Sequence, residues 1–91
     1  MDINAHVIFR GLVQGVFFRA SAKEVAVREG IKGWVRNLPD GSVEAVFEGP
    51  EAKVMKVIEL CRTSFPRAMV DSADVQTNRA TGAFKRFEVR R

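Results

Sequence analysis

An α+β sandwich is the fold class these 91 residues predict: two helices on one face of a mostly antiparallel sheet, in the order βαββαβ with a short extra C-terminal strand. Three observations carry that expectation. Stretches of period-two apolar alternation and stretches of helical i, i+3/i+4 spacing follow one another as strand–helix–strand, twice over. The tripeptide Pro39-Asp40-Gly41 is a strong turn signal and folds two of the strands into a hairpin. No Pro/Gly/Ser-rich linker and no low-complexity tract divides the chain, so residues 1–91 read as one domain.

The first strand is expected over 6–13, with Val7 and Phe9 on one face and His6, Ile8 and Arg10 on the other. The first helix is expected over 18–29, because Phe18, Ala22, Val25 and Ala26 form a single apolar stripe and Gly30 stands where a C-terminal glycine cap belongs. Residues 32–38 form the second strand. Residues 42–48 form the third, with Val43, Ala45 and Phe47 alternating against Glu44, Val46 and Glu48. Gly49-Pro50 then starts the second helix, with proline near its first position and Val54, Val57, Ile58 and Cys61 as its apolar stripe. Ser64 to Pro66 end it. A fourth strand follows over 69–77, then a polar loop over 78–82, then a short final strand over 84–90 with Phe87 and Val89 on one face. Two helices on one face of such a sheet make the ferredoxin-like α/β sandwich. The right-handed crossover rule sets the first strand beside the third. This architecture hosts many functions, so the fold does not fix one.

Composition narrows the field. About 46% of the residues are hydrophobic and 29% charged, as in an ordinary globular protein. The net charge of +4 and a pI near 9.8 favour anionic partners without separating nucleic acid from small phosphorylated molecules. One cysteine permits no internal disulfide and fits a reducing cytoplasm. The N-terminus has no signal-peptide pattern, and no apolar run approaches the ~20 residues of a membrane span.

The chemistry concentrates in Gly11-Leu12-Val13-Gln14-Gly15-Val16-Phe17-Phe18-Arg19. A strand enters, two glycines punctuate the turn, and an arginine stands where a helix begins. Backbone N–H groups in such a turn can converge on one anion, and the helix N-terminus adds its partial positive charge. Arg19 supplies a fork of donors that matches a phosphoryl group. The same spacing also describes a plain strand-to-helix turn. A second element, Gly33-Trp34-Val35-Arg36-Asn37, ends just before the hairpin turn. The Asn37 amide either orients a water beside a phosphate in the first loop or simply initiates the turn.

Absences sharpen the reading. One histidine and one cysteine exclude a His cluster and a thiolate zinc site, so no metal or other cofactor is expected. There is no GxxxxGK[ST] loop, and His6 alone offers no ready Ser–His–acid triad. His6, Cys61 and Trp34 read as strand-surface or packing residues. A reaction run here needs no metal, no covalent nucleophile and no strong general acid. Hydrolysis of an acyl phosphate meets that description, since its leaving carboxylate has a conjugate-acid pKa of ~4–5 and departs unprotonated. Holding the phosphoryl group and aiming a water in line is what remains.

These residues resemble the acylphosphatase family. The resemblance runs through Val13-Gln14-Gly15-Val16-Phe17-Phe18-Arg19, Gly33-Trp34-Val35-Arg36-Asn37, Asp40-Gly41-Ser42-Val43-Glu44, Phe84 and Phe87-Glu88-Val89-Arg90, in order and across nearly the whole chain. It implies a small stand-alone cytoplasmic enzyme, a monomer, that hydrolyses acyl phosphates to a carboxylate and inorganic phosphate without a metal. It implies that Arg19 binds the phosphoryl group, that the backbone from Leu12 to Phe18 cradles it, and that Asn37 positions the attacking water. Two positions depart from common family variants. Phe17 stands where many members carry glycine, and Leu38 where some have a hydroxyl. No membrane or nucleic-acid partner is implied.

Two other readings remain open at this level. A basic ferredoxin-like domain can bind RNA through aromatics on its open sheet face, but the third strand carries two acids, Glu44 and Glu48, and the chain has no tyrosine. A domain that binds acyl phosphate without turnover would use the same motifs.

Overall fold

The computed structural model describes residues 1–91. Its elements are β1 (Asp2–Leu12), α1 (Phe18–Arg28), β2 (Lys32–Asn37), β3 (Val43–Pro50), α2 (Glu51–Thr63), β4 (Met69–Arg79) and β5 (Phe87–Arg90). One five-stranded sheet runs in the order β4-β1-β3-β2-β5. β1 pairs antiparallel with both β3 and β4, and β2 pairs antiparallel with β3, so the expected neighbours meet. The closing strand β5 joins the outer edge of β2 in parallel, which makes the sheet mixed rather than wholly antiparallel.

The core follows from the two periodicities. Ile3, Ala5, Val7 and Phe9 of β1 and Val43, Ala45 and Phe47 of β3 point inward and are buried. Phe18, Ala22, Val25 and Ala26 of α1 and Val54, Val57, Ile58 and Cys61 of α2 are the buried stripes that cover them. Burial pushes the Cys61 thiol up to about 12, so it stays an inert packing group. At the end of α1 the N–H of Gly30 donates to the Val27 carbonyl and that of Ile31 to the Ala26 carbonyl, with Gly30 at φ 72°. This Schellman motif turns the chain directly into β2.

Boundaries shift by a residue at several ends and β4 runs on to Arg79 rather than ending at 77; three further differences have a plain cause. β1 begins at Asp2 rather than 6, because Ile3 and Ala5 continue the inward alternation while polar Asp2 and Asn4 mask it. Pro50 closes β3 and caps α2 from outside, with ψ 134°, instead of opening the helix. β5 is shorter than expected and begins at Phe87, whose ring stacks on Phe47 at 5.6 Å between centroids.

One buried carboxylate holds the segment that precedes β5. Glu48 accepts from Asn4 Nδ2 (3.0 Å), the Thr81 and Gly82 backbone N–H groups (2.8 and 2.9 Å) and the Thr81 hydroxyl. Burial alone would raise its pKa; the hydrogen bonds from Thr81, Asn4 and Gly82 outweigh that and hold it below the ordinary 4.5. The native carboxyl is the stronger acid, so its contribution is complete above pH 4.5 and is lost as pH falls through the depressed native value. Glu48→Ala is expected to cost about 2 kcal/mol in urea unfolding at neutral pH, and the deficit should shrink as the pH is taken below 4.

Candidate active site

The loop between β1 and α1 is short and anchored at both ends. Val13 is buried in the core. Phe18 is wedged between Phe9 and Phe65, with ring centroids 5.1 and 5.2 Å away. None of the backbone N–H groups of residues 14–17 donates a hydrogen bond within the protein. No side chain caps the first turn of α1, and no acidic residue lies in it. Unpaired donors and the positive end of a helix therefore lie on the same short loop, and both favour an anion.

Two residues of this loop adopt left-handed backbone. Gly15 does so at φ 72° without cost, while Phe17 does so at φ 61°, ψ 23°. For a phenylalanine that conformation costs about 1–2 kcal/mol. It gives a physical reason why glycine suits this position.

Arg19, in the first turn of α1, donates from Nη1 to the carbonyl oxygen of Arg90 at 3.3 Å. It pairs with no carboxylate, so its charge is left for a ligand. Asn37, the last residue of β2, is half-buried, and its Oδ1 is fully buried with no hydrogen-bond partner. A buried orphan acceptor costs about 1–3 kcal/mol and is uncommon enough to need a reason. Here the reason is available: Asn37 and Arg19 line one cavity of about 440 Å³, together with Val13, Gly15, Phe17 and Phe18.

The cavity does not include every residue of the expected loop. Leu12 belongs to β1, paired with Met69. Gln14 and Val16 do not line the opening. The Gln14 side chain faces the hairpin instead: its Nε2 donates to the carbonyls of Leu38 and Ser42, both at 2.8 Å. That bracket fixes the loop to the turn beside Asn37. Asp40 stiffens the same turn by accepting from the Ser42 N–H at 2.9 Å and from the Ser42 hydroxyl; these hydrogen bonds hold its carboxyl below the usual 3.8. Gln14→Ala is expected to lower kcat/KM about 10²-fold by letting loop and asparagine drift apart, while urea stability falls by only ~1–2 kcal/mol. Steady-state kinetics alongside urea unfolding separates the two effects.

Sequence reasoning missed four contributors. Ala20, Val89 and Arg91 also line the cavity, and the Arg90 carbonyl holds Arg19. Three of these act through β5, whose parallel docking on β2 carries no local signal. Trp34 faces away from the cavity, flanked by the guanidinium groups of Arg36 and Arg90 at 5.3 and 4.8 Å. His6 meets Glu44 on the open face of the sheet at 2.6 Å. Both are surface packing residues, as their spacing suggested.

Known proteins share this sequence and fold. The acylphosphatase family profile matches residues 5–89. An acylphosphatase of Pyrobaculum aerophilum is 57% identical over 86 residues, covering 93% of this chain and 90% of that one. One from Gloeobacter violaceus is 52% identical over 89 residues, covering 98% and 95%. The crystal structure of acylphosphatase from Bacillus subtilis superposes with a TM-score of 0.93 at 31% identity, over 98% of this chain and 99% of that one. The matched span takes in the loop, Arg19, Asn37 and the start of β5, and the chain belongs to the acylphosphatase family, enzymes that hydrolyse acyl phosphates.

Proposed function

We propose that this chain binds the phosphoryl end of an acyl phosphate on the loop before α1 and hydrolyses it there without a metal, as a single-domain cytoplasmic monomer. The observation that carries the site assignment is that Asn37, whose buried Oδ1 has no partner within the protein, lines the same cavity as Arg19, which pairs with no carboxylate. Arg19 meets two phosphoryl oxygens with its fork, and the free N–H groups of residues 14–17 take the remaining negative charge. Asn37 Oδ1 accepts a hydrogen bond from a water and turns its lone pair toward phosphorus, opposite the leaving carboxylate. The P–O bond to the acyl group breaks as the water oxygen bonds to phosphorus, and the acyl oxygen departs as a carboxylate. No carboxylate, imidazole or thiol side chain lines the cavity, so the water's proton passes to a phosphoryl oxygen of the substrate. Inorganic phosphate and a carboxylate are the products.

The test is hydrolysis of benzoyl phosphate by the purified protein in EDTA, with Arg19→Ala alongside. Rapid turnover in the wild type, lost in the variant, supports the reading. No turnover in the wild type leaves a domain that binds acyl phosphate without hydrolysing it. A pH–rate profile that demands a protein group with a pKa near 7 overturns the substrate-assisted proton step.

A further inference from the structure

The cavity is far larger than a phosphoryl group, and its mouth is lined by a residue that the phosphate chemistry does not explain. Phe17 lines the opening, is 69% exposed, and adopts the strained left-handed conformation described above. Exposing an aromatic ring and straining its backbone are both unfavourable, and strain of this kind gathers where function uses it. The fold does not need the ring: Phe17 is absent from the core, and the helix start is anchored by its neighbour Phe18. One group does hold the ring. The guanidinium of Arg67 lies 5.7 Å from its centroid, and Arg67 forms no ion pair. A cation over an aromatic face fixes the ring's orientation.

We propose that Phe17 is the specificity-determining residue of the acyl subsite, and that it favours acyl phosphates with a flat, apolar acyl group, above all an aryl one. The inference rests on the proposed phosphoryl site. With the phosphoryl group in the 14–17 loop, the acyl part of the substrate extends to the mouth of the cavity, where Phe17 is exposed. Val89 adds apolar surface to the same cavity. An aryl acyl group gains offset or edge contact with the ring there, and an acetyl group is too small to gain it.

The experiment measures kcat and KM for benzoyl phosphate and for acetyl phosphate, in wild type, Phe17→Gly and Phe17→Tyr. Inhibition by inorganic phosphate is measured in each. Glycine suits the backbone, so Phe17→Gly removes the ring without new strain. The ratio of kcat/KM values, benzoyl over acetyl, is expected to fall about tenfold in Phe17→Gly, through KM for benzoyl phosphate. Phe17→Tyr keeps the ring and is expected to keep the ratio. An unchanged ratio in Phe17→Gly overturns the proposal. So does a wild type that prefers acetyl phosphate, or a loss of phosphate inhibition that matches the rise in KM, since the residue would then act through the loop. A wild type that hydrolyses neither substrate defeats the underlying site reading instead, which is a different outcome.

Discussion

Arg19→Lys is expected to lower kcat/KM for an acyl phosphate by about 10³-fold, although the charge is kept. The guanidinium is anchored by the Arg90 carbonyl at 3.3 Å and presents its remaining donors as a rigid planar fork. A lysine ammonium is a flexible point charge. It cannot be held by β5 and meet two phosphoryl oxygens together. The fork also holds the phosphoryl group in line with the attacking water, so the loss should appear in kcat as well as in KM. Stability is a useful control. Arg19 forms no ion pair and makes one long hydrogen bond, so urea unfolding should move by less than about 0.5 kcal/mol. A variant with near wild-type kcat would remove Arg19 from the mechanism.

Asn37→Ala separates water positioning from phosphate binding. It is expected to lower kcat by about 10²–10³-fold and to leave inhibition by inorganic phosphate nearly unchanged. The product has no attacking water left to orient, and Arg19 with the loop N–H groups still holds it. The same substitution removes a buried acceptor that has no hydrogen-bond partner within the protein. The variant should therefore be at least as stable as the wild type, which is the reverse of what most buried polar deletions do. Gain of stability with loss of turnover marks a group kept for the reaction. If phosphate affinity fell as far as kcat, Asn37 would belong to the phosphate cradle.

The candidate site is legible in the sequence chiefly through the family resemblance, since on spacing alone the loop also fits a plain strand-to-helix turn and Asn37 a turn-initiating residue. The helical stripes are plain without it: Phe18, Ala22, Val25, Ala26 and Val54, Val57, Ile58, Cys61 are the buried faces. What stays hidden is whatever depends on backbone atoms or distant pairing. Gln14 bonds to two carbonyls, and a carbonyl is common to every residue, so nothing at 38 or 42 announces the bracket. β5 reaches β2 across the whole second half of the chain, and with it come the Arg90 carbonyl and the Val89 and Arg91 walls. Phe17 is the sharpest case. Phenylalanine has no preference for left-handed backbone, so the strain is invisible until the dihedral is seen.

In the proposed site, the unpaired N–H groups of residues 14–17 would also set a ceiling on turnover. They address the phosphoryl group, which substrate and product share. Tightening that grip favours the Michaelis complex and the spent complex alike, so it slows escape of inorganic phosphate while leaving the chemical barrier untouched. A cell rich in free phosphate would then keep such a loop occupied. Discrimination between fresh substrate and waste has to come from the half of the molecule that leaves, at the acyl end, beyond the reach of the loop.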